Sequence, residues 1–255
     1  MLACKPVSYP IDQSHIVNNI LNNNTGPLDN ITGNQQLIGK LIYLSHTRPD
    51  IAYAIHFLSQ YTHSPTDGCL KTAFHLSRYL KSAPGKGILF IKSDSFDLVA
   101  YADVDWAKCL TTRRSVTGYC VLLGNCLVSW KSKKQSTVSR SSAKDEFRAM
   151  CAASCEVIWL NNLLNELNIM VNVPINLFCD NTAALAIAAN PMFHDRTKHF
   201  EIDLFFLRDC IPKGVIKCVG IQSTEQLADL FTEGQLVKAH NVLREKLKLF
   251  DLFKL

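Results

Sequence analysis

The sequence predicts an α/β protein: a mixed five-stranded sheet flanked by helices, preceded by a mainly helical segment. Three observations carry that prediction. From about residue 35 to 82, apolar residues recur at the three-and-four spacing of amphipathic helices. Beyond residue 96, three runs rich in β-branched and aromatic residues follow one another before any helix begins. Strand and helix then alternate. Three consecutive strands followed by βα units make a sheet with both antiparallel and parallel parts.

Residues 1–30 are polar, and Asn22, Asn23, Asn24, Gly26 and Pro27 are turn formers, so this part reads as an extended or loosely ordered lead-in. "QQLIGKLIYLSH" sets Leu37, Lys40, Leu41 and Leu44 at helical spacing. In "TRPDIAYAIHFLSQY", Pro49 suits the first turn of a helix. "SPTDGCLKTAFHLSRYLKS" puts Leu70, Phe74, Ser77 and Leu80 on one face; "APGKG" breaks that helix, and "ILFIKS" reads as a strand. "FDLVAYADVDWA" is the first strand of the second half, and "SVTGYCVLLG" with "CLVSWKS" forms a hairpin around Gly124 and Asn125. A long helix follows in "SSAKDEFRAMCAASCEVIWLNNLLNELN". Ser141 or Ser142 suits its cap, and Met150, Ala153, Val157, Leu160, Leu164 and Leu167 form its core stripe. "INLFCDNTAAL" is a short strand running into a helix capped by Asn181 or Thr182. A helix near Lys198 to Cys210, the strand "GVIKCVGI" and a helix beginning in "TEQLADLFTEG" complete the order.

Composition sets outer bounds. The 255 residues are 47% hydrophobic and 19% charged, enough for one large domain or two smaller ones. A net charge of +5 permits a nucleic-acid partner without requiring one. "MLACKPVSYPIDQ" has no apolar signal core, and no apolar run approaches the ~18 residues of a membrane span, so an intracellular location, cytoplasmic or nuclear, is expected. Ten cysteines occur without a C-x-x-C. Cys120, Cys151, Cys155, Cys179 and Cys218 fall in apolar periodic segments and are expected as buried thiols, not zinc ligands.

Four carboxylates fall where such a sheet brings them together. Asp103 lies near the end of the first strand and Asp180 at the end of the fourth. Glu146 is in the first turns of the long helix, in register with its buried stripe, and Asp229 starts a helix. Each has an ordinary reading: a solvated strand residue for Asp103, a turn or cap for Asp180, an acid at a helix N-terminus for the other two. Together they sit where open sheets form sites, at the strand ends. Clustered acids repel and raise one another's pKa unless a cation compensates. An all-oxygen ligand set favours Mg2+ or Mn2+, and two such ions activate water at a phosphodiester.

"YADVDWAKCLTTRRSVTGYCVLLGNCLVSWKSKKQSTVSRSSAKDEFRAM", with "CDNTAAL", "NPMFHDRTKHFEID" and "QLADLFT", closely resembles the ribonuclease H domain of copia-type retrotransposon Pol polyproteins. "LIGKLIYLSHTRPDIAYAIHFLSQY" and "YLKSAPGKGI" look like the end of the same polyprotein's reverse transcriptase. The resemblance implies a lead-in at 1–30, a reverse-transcriptase thumb or connection remnant at 31–95, a ribonuclease H-like domain at 96–235 and a C-terminal helix at 236–255. It implies Asp103, Glu146, Asp180 and Asp229 as catalytic, metal-holding acids. The implied reaction is cutting of the RNA strand of an RNA–DNA hybrid with Mg2+ or Mn2+, as two ions. Basic residues placed to hold the hybrid are Arg113, Arg114, Lys131, Lys133, Lys134, Arg140, Arg196, Lys198 and His199. No adjacent Asp pair occurs, so polymerisation is not expected, and the missing polymerase part of the polyprotein is a candidate partner.

The chain departs from the family pattern at a few points. "KDE" replaces the usual "EAE", Lys108 stands where glycine is common, and "TEG" adds Glu233 one turn past Asp229. These departures motivate a second reading, a relic that folds and binds nucleic acid without cutting. An integrase-type nuclease is a third. It needs its glutamate after the second aspartate, whereas Glu146 comes before Asp180 and the position 35 residues past Asp180 is Val215.

Overall fold

Helical spacing in the first third of the chain becomes three helices in the computed structural model, which describes residues 3–11, 16, 26–93, 95–109, 111–190 and 198–254, without the side chains of 198–200 and 254. Helix α1 (Ile31–Leu44) is capped by Asn30, whose side chain accepts from the Gly33 amide at 2.8 Å. Its buried positions are Asn34, Ile38 and Leu41, a stripe rotated from the expected one, which leaves Lys40 exposed. Pro49 opens a 3-10 turn (Pro49–Ile51) that leads into α2 (Ala52–Ser59). Helix α3 (Asp67–Ser82) is capped by Thr66. It buries Cys69, Thr72, Ala73, His75, Leu76 and Tyr79 and leaves Phe74 exposed, so its inner face is not the expected 70/74/77/80 row. The polar lead-in is strapped along α3: Arg78 Nε donates to Lys5 O at 2.7 Å and Lys81 Nζ to Cys4 O at 2.8 Å. Ile11 and Ile16 there are buried.

Contacts divide the chain into two units, Phe90–Thr232 and the remainder, Met1–Leu89 with Glu233–Leu255. A short strand, β1 (Lys86–Ile88), ends the N-terminal part of the latter.

The unit Phe90–Thr232 holds the mixed sheet. Strand β2 (Leu98–Asp105) alternates strictly, burying Leu98, Ala100, Ala102 and Val104. β3 (Val116–Leu123) is buried almost throughout because helices cover both its faces. Gly124, with φ of +59°, turns the chain into β4 (Cys126–Lys134), whose lysines mark a sheet edge. Helix α4 (Ser142–Glu166) buries Met150, Ala153, Val157 and Leu164 of its expected stripe, with Leu160 partly buried and Phe147 added, but Leu167 follows the last helical residue and is exposed. Ser141 is its N-cap position but makes no side-chain capping bond. β5 (Ile175–Cys179), α5 (Thr182–Ala189), α6 (Lys198–Cys210) and β6 (Ile216–Gly220) follow. Strand order is β4-β3-β2-β5-β6; β2, β3 and β4 pair antiparallel, while β5 joins β2 and β6 in parallel. The expected fold class, α/β with a mixed five-stranded sheet and flanking helices, is the one observed.

"TEQLADLFTEG" does not begin one continuous helix. A 3-10 turn (Ser223–Glu225) precedes α7 (Asp229–Thr232), only four residues long. Gln226, fully buried, interrupts the helix by donating to Ala102 O at 2.9 Å and accepting from the Ala228 amide at 3.2 Å. The last segment also departs from a single helix over 236–255. Helix α8 (Val237–Lys246) stops, Lys248 takes a φ of +59°, and β7 (Leu249–Asp251) turns back to pair antiparallel with β1. All ten cysteines are free; Cys155, expected as buried, faces outward from α4, and Cys218 is only half-buried.

A buried polar network ties α8 to the first helices of its unit. Arg48 grips Asp50 with two guanidinium bonds of 2.8 and 2.7 Å, and the Tyr79 hydroxyl donates to Asp50 at 2.5 Å. Burial alone raises the Asp50 carboxyl, but the Arg48 fork and the Tyr79 hydroxyl outweigh it and hold Asp50 below the ordinary carboxylate range. His240 stacks edge-on against Tyr79, and burial pushes its imidazole down to about 4, despite the opposing pull of Asp50. The folded state therefore keeps His240 neutral where the unfolded chain protonates it. Its contribution is present above pH ~6.5 and is lost as pH falls toward 4. Replacing Asp50 by Asn leaves Arg48 buried without a counter-charge, so urea unfolding should register a loss of about 3–5 kcal/mol.

Candidate metal centre

Parallel pairing sets Tyr101 of β2 opposite Phe178 of β5, with their rings stacked at 5.0 Å. Continuing that register by two residues sets Asp103 opposite Asp180, on strands about 4.8 Å apart. The acid at the tip of β5 does not cap the next helix. Asn181 does, accepting from the Ala184 amide at 2.9 Å, and this leaves Asp180 available to β2 and α4. Glu146, one turn into α4, is only 6% exposed. Ligand oxygens of Asp103, Glu146 and Asp180 lie within 4.8 Å of one another. Asp229, the first residue of α7, is outside that triad of oxygens but adds its charge to it. Burial, and then Asp103, Asp180 and Asp229 in that order, push the Glu146 carboxyl up to about 9.

Two hydroxyls hold the aspartates. Thr232 Oγ1 donates to Asp103 Oδ2 at 2.5 Å, and Ser223 Oγ donates to Asp180 Oδ2 at 2.6 Å. Each occupies one oxygen of its aspartate and thereby fixes where the other points. Thr232 gets there because Gly118, the partner of Asp103 in the β2–β3 ladder, has no side chain. A Cβ at Gly118 would lie 2.5 Å from Thr232 Cγ2 and 3.0 Å from Ala228 O. Neither hydroxyl was read from the sequence. The one signal was the glycine inside "SVTGYC", since a glycine within a strand often marks a close approach.

The departures from the family pattern resolve into structural contacts. Asp145 is fully buried and accepts from Ser115 Oγ at 2.5 Å and Arg148 Nη1 at 3.1 Å, pinning the start of α4 to the β2–β3 loop. Lys108 pairs with Asp105 at 3.2 Å. Helix α7 ends at Thr232, so Glu233 is not a further turn of it; its carboxylate accepts from Gln235.

Among the basic residues, Arg113 and Arg114 are exposed in the β2–β3 loop and Arg140 in the loop before α4. Lys131, Lys133 and Lys134 line a cavity of about 900 Å³ together with Arg148, Glu156 and Phe206. Arg196 lies outside the described residues; Lys198 and His199 open α6, but their side chains lie outside them as well. Trp130 is half-buried on β4 opposite Cys120.

The donor set fits a hard divalent cation. It consists of carboxylate oxygens alone, and one of them, Glu146 Oε2, is buried with no hydrogen-bond partner among the described residues. A carboxylate deprived of water and of donors, with four other carboxylates acting on it, lacks one thing: positive charge.

No family model matches the chain. It is 40% identical over 233 residues to the retrovirus-related Pol polyprotein from transposon RE2 of Arabidopsis thaliana, covering 91% of this chain and 16% of that protein. Against the corresponding polyprotein from transposon TNT 1-94 of Nicotiana tabacum it is 32% identical over 197 residues, 77% of this chain and 15% of the relative. The solved N-terminal RNase H domain of a Mycobacterium tuberculosis protein, fused to maltose binding protein, aligns with 59% of this chain and 98% of that one at 10% identity and a TM-score of 0.41. The chain thus spans about one sixth of the length of these two polyproteins, 16% and 15%. Nine-tenths of this chain's residues align with one segment of such a protein, and the chain is similar to that segment of the retrovirus-related Pol polyproteins of transposons.

Proposed function

We propose that residues 90–232 form a divalent-metal-dependent ribonuclease H, which hydrolyses the RNA strand of RNA–DNA hybrids as one part of a retrotransposon Pol polyprotein. The observation that carries this reading is the gathering of Asp103, Glu146 and Asp180 within 4.8 Å, with Asp229 adding charge. Asp103, Glu146 and Asp180 would hold Mg2+ or Mn2+, as a pair of ions, with Asp229 completing the set. Bound there, the ions supply Lewis acidity and a water of lowered pKa at the scissile phosphate. The chain's own residues do the rest. Thr232 and Ser223 keep the two aspartates aimed, and Glu146 carries a proton until a cation displaces it. Arg113, Arg114, Lys131, Lys133, Lys134, Arg140, Arg196, Lys198 and His199 are proposed to hold hybrid phosphates. Selection of RNA rests on contacts to 2′-hydroxyls across the wide, shallow minor groove. The flanking unit, residues 1–89 with 233–255, is proposed as the reverse-transcriptase remnant, with the missing polymerase part as its partner.

Incubation of purified protein and Mg2+ with an end-labelled hybrid should release RNA fragments bearing 5′-phosphates. Asp180→Asn and Glu146→Gln should each lower the rate by at least about a hundredfold, in line with the loss of a preorganised electrostatic group. Hybrid binding with no metal-dependent product would instead identify a folded, non-cutting relic.

A second measurement follows from the proton on Glu146. Without metal, the folded state retains that proton between the ordinary value of 4.5 and about 9, where the unfolded chain has lost it. Stability therefore falls as pH rises through this window, by up to about 1.4 kcal/mol per pH unit. Calorimetry at pH 7 should detect about one proton released per protein on Mg2+ binding. Glu146→Gln should flatten the pH dependence and abolish the release.

A third concerns aim. Thr232→Val preserves shape but removes the bond to Asp103, and should weaken Mg2+ affinity about 10–100-fold. Thr232→Ser should restore most of it. Equal affinity for Val and Ser would rule out a positioning role.

A further inference from the structure

In the unit formed by residues 1–89 and 233–255, four cations from four separate segments line one pocket of about 670 Å³. Lys5 comes from the N-terminal strap, Arg78 from α3, Lys86 from β1 and Arg244 from α8. Among the described residues lining it, no side chain is acidic. Such crowding is unfavourable in a half-buried site unless an anion is expected there.

Two further observations show that counter-charge is incomplete. Arg244 Nε is buried with no hydrogen-bond partner among the described residues. Burial and then the Arg244 guanidinium push the Lys86 ammonium down to about 8, and Asp50 and Asp251 offset this only in part. Of the two carboxylates that act on Lys86, Asp50 is already committed to Arg48 at 2.7 Å, and Asp251, opposite Lys86 in the β1–β7 ladder, is not among the residues lining the pocket. The pocket's open mouth and the absence of any stacking platform except Tyr9, whose ring already packs on His75 at 4.9 Å, suit a phosphate better than a base.

We propose that this pocket is a phosphate site that grips the backbone of a nucleic-acid strand, separate from the acid cluster. It takes phosphodiester oxygens by charge, without reading base sequence. Fixed at the junction of β1, α3 and α8, it gives this unit a nucleic-acid grip of its own.

The test uses the full chain in EDTA, with a fluorescent RNA–DNA hybrid followed by anisotropy at several salt concentrations. Three proteins are compared, each checked for folding by urea titration: the natural sequence, Lys5→Gln/Lys86→Gln, and Lys40→Gln/Lys71→Gln. The last pair removes the same charge from α1 and α3 outside the pocket. The pocket variant should bind about tenfold more weakly and lose between about 1 and 2 from the slope of log K against log salt, and the control should change far less. Equal weakening in both variants overturns the proposal, as does no binding by the natural sequence. Inorganic phosphate is titrated separately. If it raises the melting temperature in a Lys86-dependent way while hybrid binding ignores the pocket variant, the site takes a free anion and the strand assignment falls. Repeating the titration with Glu146→Gln separates this result from the nuclease reading: a grip lost only in the pocket variant stands even if no RNA is ever cut.

Discussion

Repulsion among carboxylates is the constraint around which the sheet unit is built. Asp103, Glu146 and Asp180 are held within 4.8 Å, and Glu146 is almost shut off from water. Left to itself such a group relaxes by separating its charges or by taking up a proton, and burial, followed by the neighbouring carboxylates, lifts Glu146 to about 9 so that it keeps one. The first is prevented by the scaffold. Two acids are carried on adjacent parallel strands whose register leaves them opposite one another, and the third on a helix packed across both strands. The fold thus stores an electrostatic cost at one point, and a divalent cation is the simplest agent that relieves it.

Small residues and hydroxyls make that arrangement possible. Gly118 lets the four-residue helix α7 approach β3 closely enough for Thr232 to reach Asp103. Gln226 breaks the chain before α7 by bonding the Ala102 carbonyl, so that Asp229 and Thr232 arrive at the end of β2. Asp145, adjacent to Glu146 in sequence, is turned the other way and spent on Ser115 and Arg148. Neighbouring carboxylates on one helix thereby have opposite tasks: one fastens the helix, the other stays without a donor.

The other unit follows a different logic. Its centre is not a group of like charges but the Arg48–Asp50–Tyr79 network, in which a buried ion pair is satisfied by geometry on nearly every side. Asp50 is committed to Arg48 there, so the four cations of the neighbouring pocket meet no acidic side chain among its described lining residues. The excess of cations follows from which groups the network consumed.

Much of this was legible in the sequence because it rests on local periodicity. Alternation in "LVAYADVD", the 146/150/153/157 stripe and the turn at Gly124 each depend on residues close in the chain, and each is present where expected. The meeting of Asp103, Glu146 and Asp180 was legible too, because each falls at a strand end or in the first turns of a helix. Three things were beyond it. The inner face of α3 includes Tyr79, whose hydroxyl bonds Asp50 in a network with Arg48 and His240. The return of β7 onto β1 depends on a pairing across more than half the chain. The hydroxyls of Thr232 and Ser223 gain meaning only when segments far apart in sequence meet. Local pattern revealed most of the elements, though not the break at Gln226 or strand β7, and it revealed every charge, since these are properties of neighbouring residues. Tertiary structure alone decided which oxygens meet, which are held by donors and which are left bare, because those depend on distances that no local pattern encodes.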